Sequence, residues 1–307
     1  MSKSKGNVIV PAEVLKKYGS EILRLWVAMS DYQGDLRISD NILNQIAEQY
    51  RKLRNTCRFL LANINDLEEI CDTSKMSSID LWILSKASKV FEEIGESFKE
   101  YDFSKGLNKL NNFLVADLSG IYLDICKDRL YCDGANDIHR ISSQSAMAMI
   151  LKALIALVAP ILTYTMDEIL EFTPNFIKED AKNIFDYKKY NLPNVTSNAN
   201  EELMLKAREK FFEIVDELKK SKTIKNTLEL EVWTNSSDII NLGSIEASDW
   251  FMVSALSDKK EELLGKFEIG ENAFEIYLST HAKCPRCWKF NSENEEKLCK
   301  RCDEVLN

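Results

Sequence analysis

The last 24 residues of this 307-residue chain hold two cysteine pairs, whose spacing constrains the fold more than any other feature. Cys284 and Cys287 form one Cys-x-x-Cys pair, and Cys299 and Cys302 form a second after eleven intervening residues. Two such turns can direct four thiolates to one point, which is the tetrahedral cage that a structural Zn²⁺ prefers. Two disulfides or four free thiols are the alternatives, but the regular spacing favours one zinc per chain.

A cage of four protein ligands leaves no open position for water, so we expect a structural rather than a hydrolytic metal. His281 lies just upstream and is expected to be a neighbour of the cage, not a ligand. The other four cysteines show no framework spacing, which is typical of free thiols in a reducing cytosol. They are Cys57, Cys71, Cys126 and Cys132. We therefore expect a cytoplasmic protein.

The net charge of −9 argues by itself against a nucleic-acid partner. For binding a nucleic acid, local clusters of charge matter more than the net charge, and the sequence contains two basic clusters. One is Arg51, Lys52, Arg54 and Arg58. The other is the cysteine-rich tail, with Lys283, Arg286, Lys289, Lys297, Lys300 and Arg301. No uninterrupted run of 18 apolar residues occurs, so we predict no membrane span.

The spacing of apolar residues between Ser39 and Thr173 predicts a mainly α fold. Its first helix begins at an N-cap Ser39 and carries an apolar stripe with gaps of three and four residues. The stripe consists of Leu43, Ile46, Tyr50, Leu53, Cys57, Leu60 and Ile64. Arg51, Arg54 and Arg58 share an arc beside that stripe, either as an RNA-contacting rim or as a solvated face.

Three further apolar patterns predict helices, and together the four predict an antiparallel bundle over residues 39–174. One pattern runs from Leu84 to Phe98, the next from Leu107 to Ile125, and the last from Gln144 to Glu171. Pro160 should kink or split the last helix, because proline removes a backbone donor.

Composition changes after the predicted bundle. We predict a linker over residues 175–200, a small α/β unit over 201–280 and a zinc module over 281–307. Glu201–Lys220 reads as a helix. Alternating apolar residues predict strands around Leu230 and Ile276, and Trp250–Ala255 could form another strand.

The N-terminus begins Met1-Ser-Lys-Ser-Lys-Gly-Asn-Val, which resembles the Lys-Met-Ser-Lys-Ser loop of class I aminoacyl-tRNA synthetases. Later segments resemble the isoleucyl enzymes of that class. They are Tyr18-Gly-Ser-Glu-Ile-Leu-Arg-Leu-Trp-Val-Ala, Tyr50-Arg-Lys-Leu-Arg-Asn-Thr-Cys-Arg, Tyr122-Leu-Asp-Ile-Cys-Lys-Asp-Arg-Leu-Tyr131 and Lys283-Cys-Pro-Arg-Cys-Trp288. The resemblance covers the whole chain and thins between about Asn175 and Thr280.

The resemblance implies a bundle of the class I anticodon-binding type and a ligase that activates isoleucine with ATP and Mg²⁺. Residues 1–38 would be the loop and its connection, with Met1, Ser2, Lys3 and Ser4 at ATP. Lys3 would stabilise the charge that builds on the phosphates. Isoleucine tRNA would bind through its anticodon arm to Arg51, Arg54, Arg58 and Trp288, although Trp288 could instead pack over the zinc cage.

No His-x-Gly-His box occurs, so we expect a C-terminal fragment that is inactive alone and whose Met1 is internal to a longer enzyme. We expect a monomer that binds neither DNA nor membrane. Three alternatives stay open. They are a free-standing zinc-containing RNA-binding protein, a structural interaction protein, and the equivalent part of a valyl or leucyl enzyme.

Overall fold

Helices account for most of the chain up to Lys220, and a small sheet and a cysteine-rich tail follow. The structure, a computed structural model, describes residues 9–197, 200–258 and 262–307. The predicted mainly α fold with a small α/β part and a four-cysteine cluster is confirmed.

The described residues divide into two units. Unit 1 consists of the described chain up to Ile70, Ile83–Ile121 and Gln144–Asn194. Unit 2 consists of Cys71–Trp82, Tyr122–Ser143 and the described chain from Val195 onward. The long helices that pass through these bounds contribute residues to both units.

Unit 1 begins with three helices, α1 (Pro11–Tyr18), α2 (Ser20–Met29) and α3 (Asp40–Asn63). The predicted start of α3 is confirmed, since the Ile42 N–H donates to the Ser39 side chain over 3.3 Å. Of the predicted stripe, Tyr50 alone is only half-buried and its other members are buried. The period of three and four therefore identified the core face of this helix.

The next helical stretch comprises α4 (Ser78–Lys99), α5 (Phe103–Asn112) and α6 (Leu123–Cys132), with a π-helical segment over Phe113–Tyr122 between the last two. The third predicted helix is thus interrupted in its hydrogen-bond pattern. Gly120 permits the wider turn, because a Cβ there would lie 2.9 Å from the Val115 carbonyl oxygen.

The predicted split at Pro160 is confirmed, because α7 (Ile138–Val158) and α8 (Thr163–Glu171) are separate helices. Arg24 satisfies the carbonyls that the break frees. Its Nε donates to the Ile161 carbonyl over 2.7 Å and its Nη2 to the Pro160 carbonyl over 2.8 Å.

Within the part of the chain that the structure describes, α7 alone is long and apolar enough to cross a membrane. Its mean hydropathy reaches 1.7 even though polar residues interrupt the apolar run. Because 78% of that stretch is buried inside the molecule, it has the surroundings of a core helix.

The segment after α8 contains one short helix, α9 (Asn175–Lys178). Three apolar side chains of this segment are buried, namely Ile177 in α9 and, beyond it, Ala181 and Ile184. The Ile184 N–H donates to the Asp167 carboxylate of α8 over 2.8 Å, which ties this irregular segment to unit 1.

The described α/β part of unit 2 contains three α-helices and a four-stranded sheet. The elements are α10 (Glu201–Lys220), β1 (Leu230–Thr234), α11 (Ser237–Ile240), α12 (Ser244–Phe251), β2 (Ala255–Leu256), β3 (Leu263–Ile269) and β4 (Asn272–Leu278). Helix α10 has the predicted bounds, and Asn200 caps it by accepting from the Leu203 N–H. The strand order is β2-β1-β4-β3, in which pairs β1–β4 and β3–β4 are antiparallel and β1–β2 is parallel.

The prediction of a strand over Trp250–Ala255 is wrong. Trp250 and Phe251 end helix α12, and Met252 closes that helix in the left-handed conformation with φ +55°. Of the predicted strand, Ala255 alone pairs with β1, and the next residue, Leu256, continues that pairing. Tertiary burial of the aromatic rings overrode their strand propensity, since Trp250 is 1% exposed and lies 5.7 Å, centroid to centroid, from Trp82.

Candidate metal centre and nucleic-acid interface

Two local structures bring the four tail cysteines together. The first pair lies between strands β5 (Ala282–Lys283) and β6 (Phe290–Ser292), which form an antiparallel hairpin. The second pair lies at the start of helix α13 (Lys300–Leu306), where Cys299 is the N-cap and Cys302 is in the first turn. We call residues 281–307 the cysteine module.

The four sulfurs fit a tetrahedral metal. They all lie within 4.8 Å of one another, and all four residues are buried. The Cys287 and Cys299 sulfurs are 3.7 Å apart. A tetrahedron with Zn–S bonds of about 2.3 Å requires sulfurs roughly 3.8 Å apart, whereas a disulfide requires about 2 Å. All four thiols are free of disulfides, and His281 is exposed and outside the cluster.

The cage favours the ligating thiolate form at one of its four cysteines, Cys284. Burial raises the pKa of Cys284, but backbone N–H groups of Cys299, Cys287 and Arg286 outweigh that effect and bring it to about 6. The Cys299 N–H donates to the Cys284 sulfur over 3.4 Å. Burial raises the pKa of Cys287 and Cys299. Thiolates are the ligating form, so a bound cation would hold the four sulfurs ionised together.

Trp288 reverses the chain directly after the first pair. Its φ of +66° lies in the left-handed region, which is unusual for so large a side chain. The Trp288 N–H donates to the Cys284 carbonyl over 3.0 Å, and the Cys284 N–H donates to the Lys289 carbonyl over 2.9 Å. The indole is 60% exposed, with the Lys283 ammonium 5.1 Å from its ring centroid. Most of the indole surface is therefore open to solvent.

Three of the six basic residues of the predicted tail cluster, Arg286, Lys289 and Arg301, bind groups of the protein outside the module. Lys289 is 6% exposed, and its ammonium lies 3.2 Å from both Asp249 and Asp128. Arg301 holds Asp128 with two hydrogen bonds of 2.7 and 2.8 Å. Arg286 donates to the Cys132 carbonyl over 2.6 Å.

These contacts anchor the module on helix α6, which carries Asp128 and Cys132. Burial raises the pKa of Asp128, but Arg301 and Lys289 outweigh it and hold the pKa at about 2. Both partners of each pair are therefore charged at neutral pH. The exposed basic residues of the module are the remaining three, Lys283, Lys297 and Lys300.

The inward charges continue into a buried network that the sequence analysis missed. Arg129 is 1% exposed and donates to Asp249 over 2.9 Å, and it lies 3.4 Å from Asp80. Asp80 also accepts from the Tyr122 hydroxyl over 2.6 Å and from Ser142 over 2.5 Å. The available signal was the Lys-Asp-Arg run at residues 127–129, which lies just after the predicted apolar pattern and precedes Leu130, because charged residues at core positions are rare unless paired.

The predicted arginine rim lies on helix α3 of unit 1. Arg51 forms an ion pair with Glu48 of the same helix. Arg54 makes two hydrogen bonds of 2.6 Å to Glu168 of α8, which holds the pKa of Arg54 above its ordinary value. Arg58 is exposed and has no ion pair among the described residues. All three guanidinium groups lie outside the buried stripe, and Arg54 also links two helices.

The residues expected at ATP lie outside the described part of the chain. They are Met1, Ser2, Lys3 and Ser4. Their roles stay predictions.

Comparison with known proteins gives matches over the whole chain. The family model described as tRNA synthetases class I (I, L, M and V) matches residues 1–39. The isoleucine–tRNA ligase of Aliarcobacter butzleri is 65% identical over 100% of this chain and 34% of the relative. That of Sulfurimonas denitrificans is 56% identical over 100% of this chain and 34% of the relative.

The chain spans about a third of the length of these curated relatives. A solved Agrobacterium radiobacter LeuRS–tRNA–LeuAMS complex matches 64% of this chain and 23% of its own, with 14% identity and a TM-score of 0.47. The family model for the anticodon-binding domain of tRNA ligase matches residues 80–234, just over half of the chain. The chain therefore belongs to the anticodon-binding domain family of tRNA ligases.

Proposed function

We propose that this chain is the tRNA-binding portion of an isoleucine–tRNA ligase, which activates isoleucine with ATP, releasing pyrophosphate, and transfers it to its tRNA. The observation that carries the proposal is the anticodon-binding family match over residues 80–234. Curated relatives that align with the entire chain carry the same ligase name. A free-standing RNA-binding protein is the less favoured alternative.

The partner in this proposal is isoleucine tRNA, bound through its anticodon arm by a monomer in the cytoplasm. Unpaired anticodon bases are commonly recognised by stacking on aromatic rings and by contacts from basic side chains. The exposed indole of Trp288 and the nearby Lys283 ammonium suit one such contact. Arg51, Arg54 and Arg58 suit phosphate contacts, with Arg58 the least engaged by the protein itself.

The metal in this proposal is a single structural zinc held by Cys284, Cys287, Cys299 and Cys302. Its support is the sulfur spacing and the burial of the cage. In the complete ligase, ATP with Mg²⁺ would bind near Met1, Ser2, Lys3 and Ser4, and the Lys3 ammonium would stabilise charge on the phosphates. The proposed functional segments are the ATP-binding loop with its connection (1–38), the helical bundle (39–174), the linker (175–200), the small α/β unit (201–280) and the zinc module (281–307).

A binding titration of isoleucine tRNA with this chain tests the proposal. We expect weak binding that falls as salt rises, since the net charge of −9 leaves only local patches to attract phosphate. An isoleucine tRNA transcript with a substituted anticodon is the matched control and should bind more weakly. Equal binding of both transcripts at every salt concentration would contradict anticodon recognition.

A further inference from the structure

Two cations of the cysteine module lie inside an acidic cluster of unit 2. The Lys289 ammonium sits between Asp249 of α12 and Asp128 of α6, 3.2 Å from each. The Arg301 guanidinium holds Asp128 and lies 3.3 Å from Asp133 at the end of α6. The module therefore supplies charge to carboxylates on two other elements.

The balance of charge depends on those two cations. The cluster contains four carboxylates, on Asp80, Asp128, Asp133 and Asp249, and three cations, on Arg129, Lys289 and Arg301. Without Lys289 and Arg301, the carboxylates of Asp128 and Asp133 would lose these ion-pair partners, and Asp249 would keep only Arg129. A buried charge that loses its partner is strongly destabilising.

The metal cage controls where both cations lie. Lys289 is two residues beyond Cys287, and its carbonyl accepts from the Cys284 N–H over 2.9 Å. Arg301 lies between Cys299 and Cys302 in the first turn of α13. Arg286 adds a direct link, because its Nη1 donates to the Cys132 carbonyl of α6 and lies 3.4 Å from the Cys302 sulfur.

We propose that Lys289 and Arg301 make the bound metal a structural element of unit 2 as a whole. By fixing these two cations among Asp128, Asp133 and Asp249, the metal stabilises helices α6 and α12 as well as the module. Metal loss thus loosens α6, whereas helix α3 of unit 1 keeps its structure. The coupling does not depend on tRNA binding, so it can fail or stand separately from the proposed function.

Hydrogen exchange of the 307-residue chain, measured with bound zinc and after chelation under reducing conditions, tests the coupling. Metal removal should accelerate amide exchange in α6 and α12 on the order of 10²-fold, as expected for the loss of a buried charge partner. Exchange in α3 should stay unchanged, and added Zn²⁺ should restore protection of α6. Unchanged protection of α6 in the metal-free chain would overturn the proposal, as would equal loss in α3 and α6.

Variants that keep all four cysteines separate the cations from the metal. Lys289→Met and Arg301→Met should retain one zinc per chain, by elemental analysis, yet lose α6 protection on the order of 10²-fold. Lys300→Met is the matched control, because its side chain is 90% exposed and neighbours Arg301 in the same helix. If either variant keeps zinc and exchanges like Lys300→Met, the two cations do not couple the module to α6.

Discussion

The two basic clusters of this chain look alike in sequence but have different surroundings. On α3 of unit 1, the guanidinium groups of Arg51 and Arg54 are exposed and pair with exposed glutamates, with Arg51 57% exposed and Arg54 41%. In the cysteine module, the side chain of Lys289 is 8% exposed and its partner Asp249 is 3% exposed. The first cluster is available to a ligand, whereas three residues of the second bind groups of the protein outside the module and one of them, Lys289, is buried.

The difference shows that a basic residue near a predicted RNA site is not thereby an RNA contact. An exposed cation keeps its hydration and costs little to leave unpaired. A buried cation has lost that hydration and needs a carboxylate in a fixed place. Removing a residue from each cluster should therefore change the free energy of unfolding by different amounts, and four experiments test this contrast.

Metal removal should have the largest effect. Structural zinc sites of this size bind with apparent free energies of about 10–16 kcal/mol at pH 7, so Cys299→Ser should abolish binding and unfold the module. Elemental analysis should find one zinc per wild-type chain and none in the variant, while circular dichroism retains the helical signal of unit 1. Wild-type protein prepared without chelators that contained no metal would refute the metal centre.

Asp128→Asn should have the next largest effect on stability, because it removes the carboxylate shared by Lys289 and Arg301. Breaking a buried pair costs about 3–5 kcal/mol in the free energy of unfolding. The matched control is Glu168→Gln, which removes the exposed partner of Arg54 and should cost less than about 1 kcal/mol. Chemical denaturation of both variants measures the difference, and similar losses would erase the contrast between the clusters.

Lys3→Ala in the complete ligase tests a cation with a proposed role in chemistry. Removing one preorganised charge that stabilises a transition state lowers kcat on the order of 10²–10³-fold. The KM for isoleucine should change little, and the melting temperature should be unaffected. Pyrophosphate exchange measures both constants. Normal exchange by the variant, or exchange by this chain alone, would contradict the assignment.

Arg58→Ala and Arg54→Ala should have the smallest effects on folding. Each lost phosphate contact should reduce the slope of log K against log[salt] by about 0.7–0.9 in a tRNA titration. Arg54→Ala should also cost about 0.2–1 kcal/mol of stability through its lost pair with Glu168, whereas Arg58→Ala should cost none. Wild-type slopes in both variants would mean that these arginines only form a solvated face.

Local patterns predicted most of the helical elements. The apolar stripe and the Ser39 cap identified α3, Pro160 separated α7 from α8, and the bounds of α10 agree with its pattern. These features depend on neighbours within a few residues, which the sequence displays directly. The strand predicted over Trp250–Ala255 was wrong, because the burial of Trp250 against Trp82 is a contact between distant segments.

The candidate metal centre could be predicted from local sequence, because a Cys-x-x-Cys turn needs only four consecutive residues to direct two thiolates to one point. The family could be recognised in the same way, because its motifs are local. Which cations face inward could not be predicted, because it depends on contacts between distant segments. Lys289 and Arg301 meet Asp128 across more than 150 residues of chain, and Coulomb attraction depends on distance in space and on desolvation, neither of which a linear pattern records.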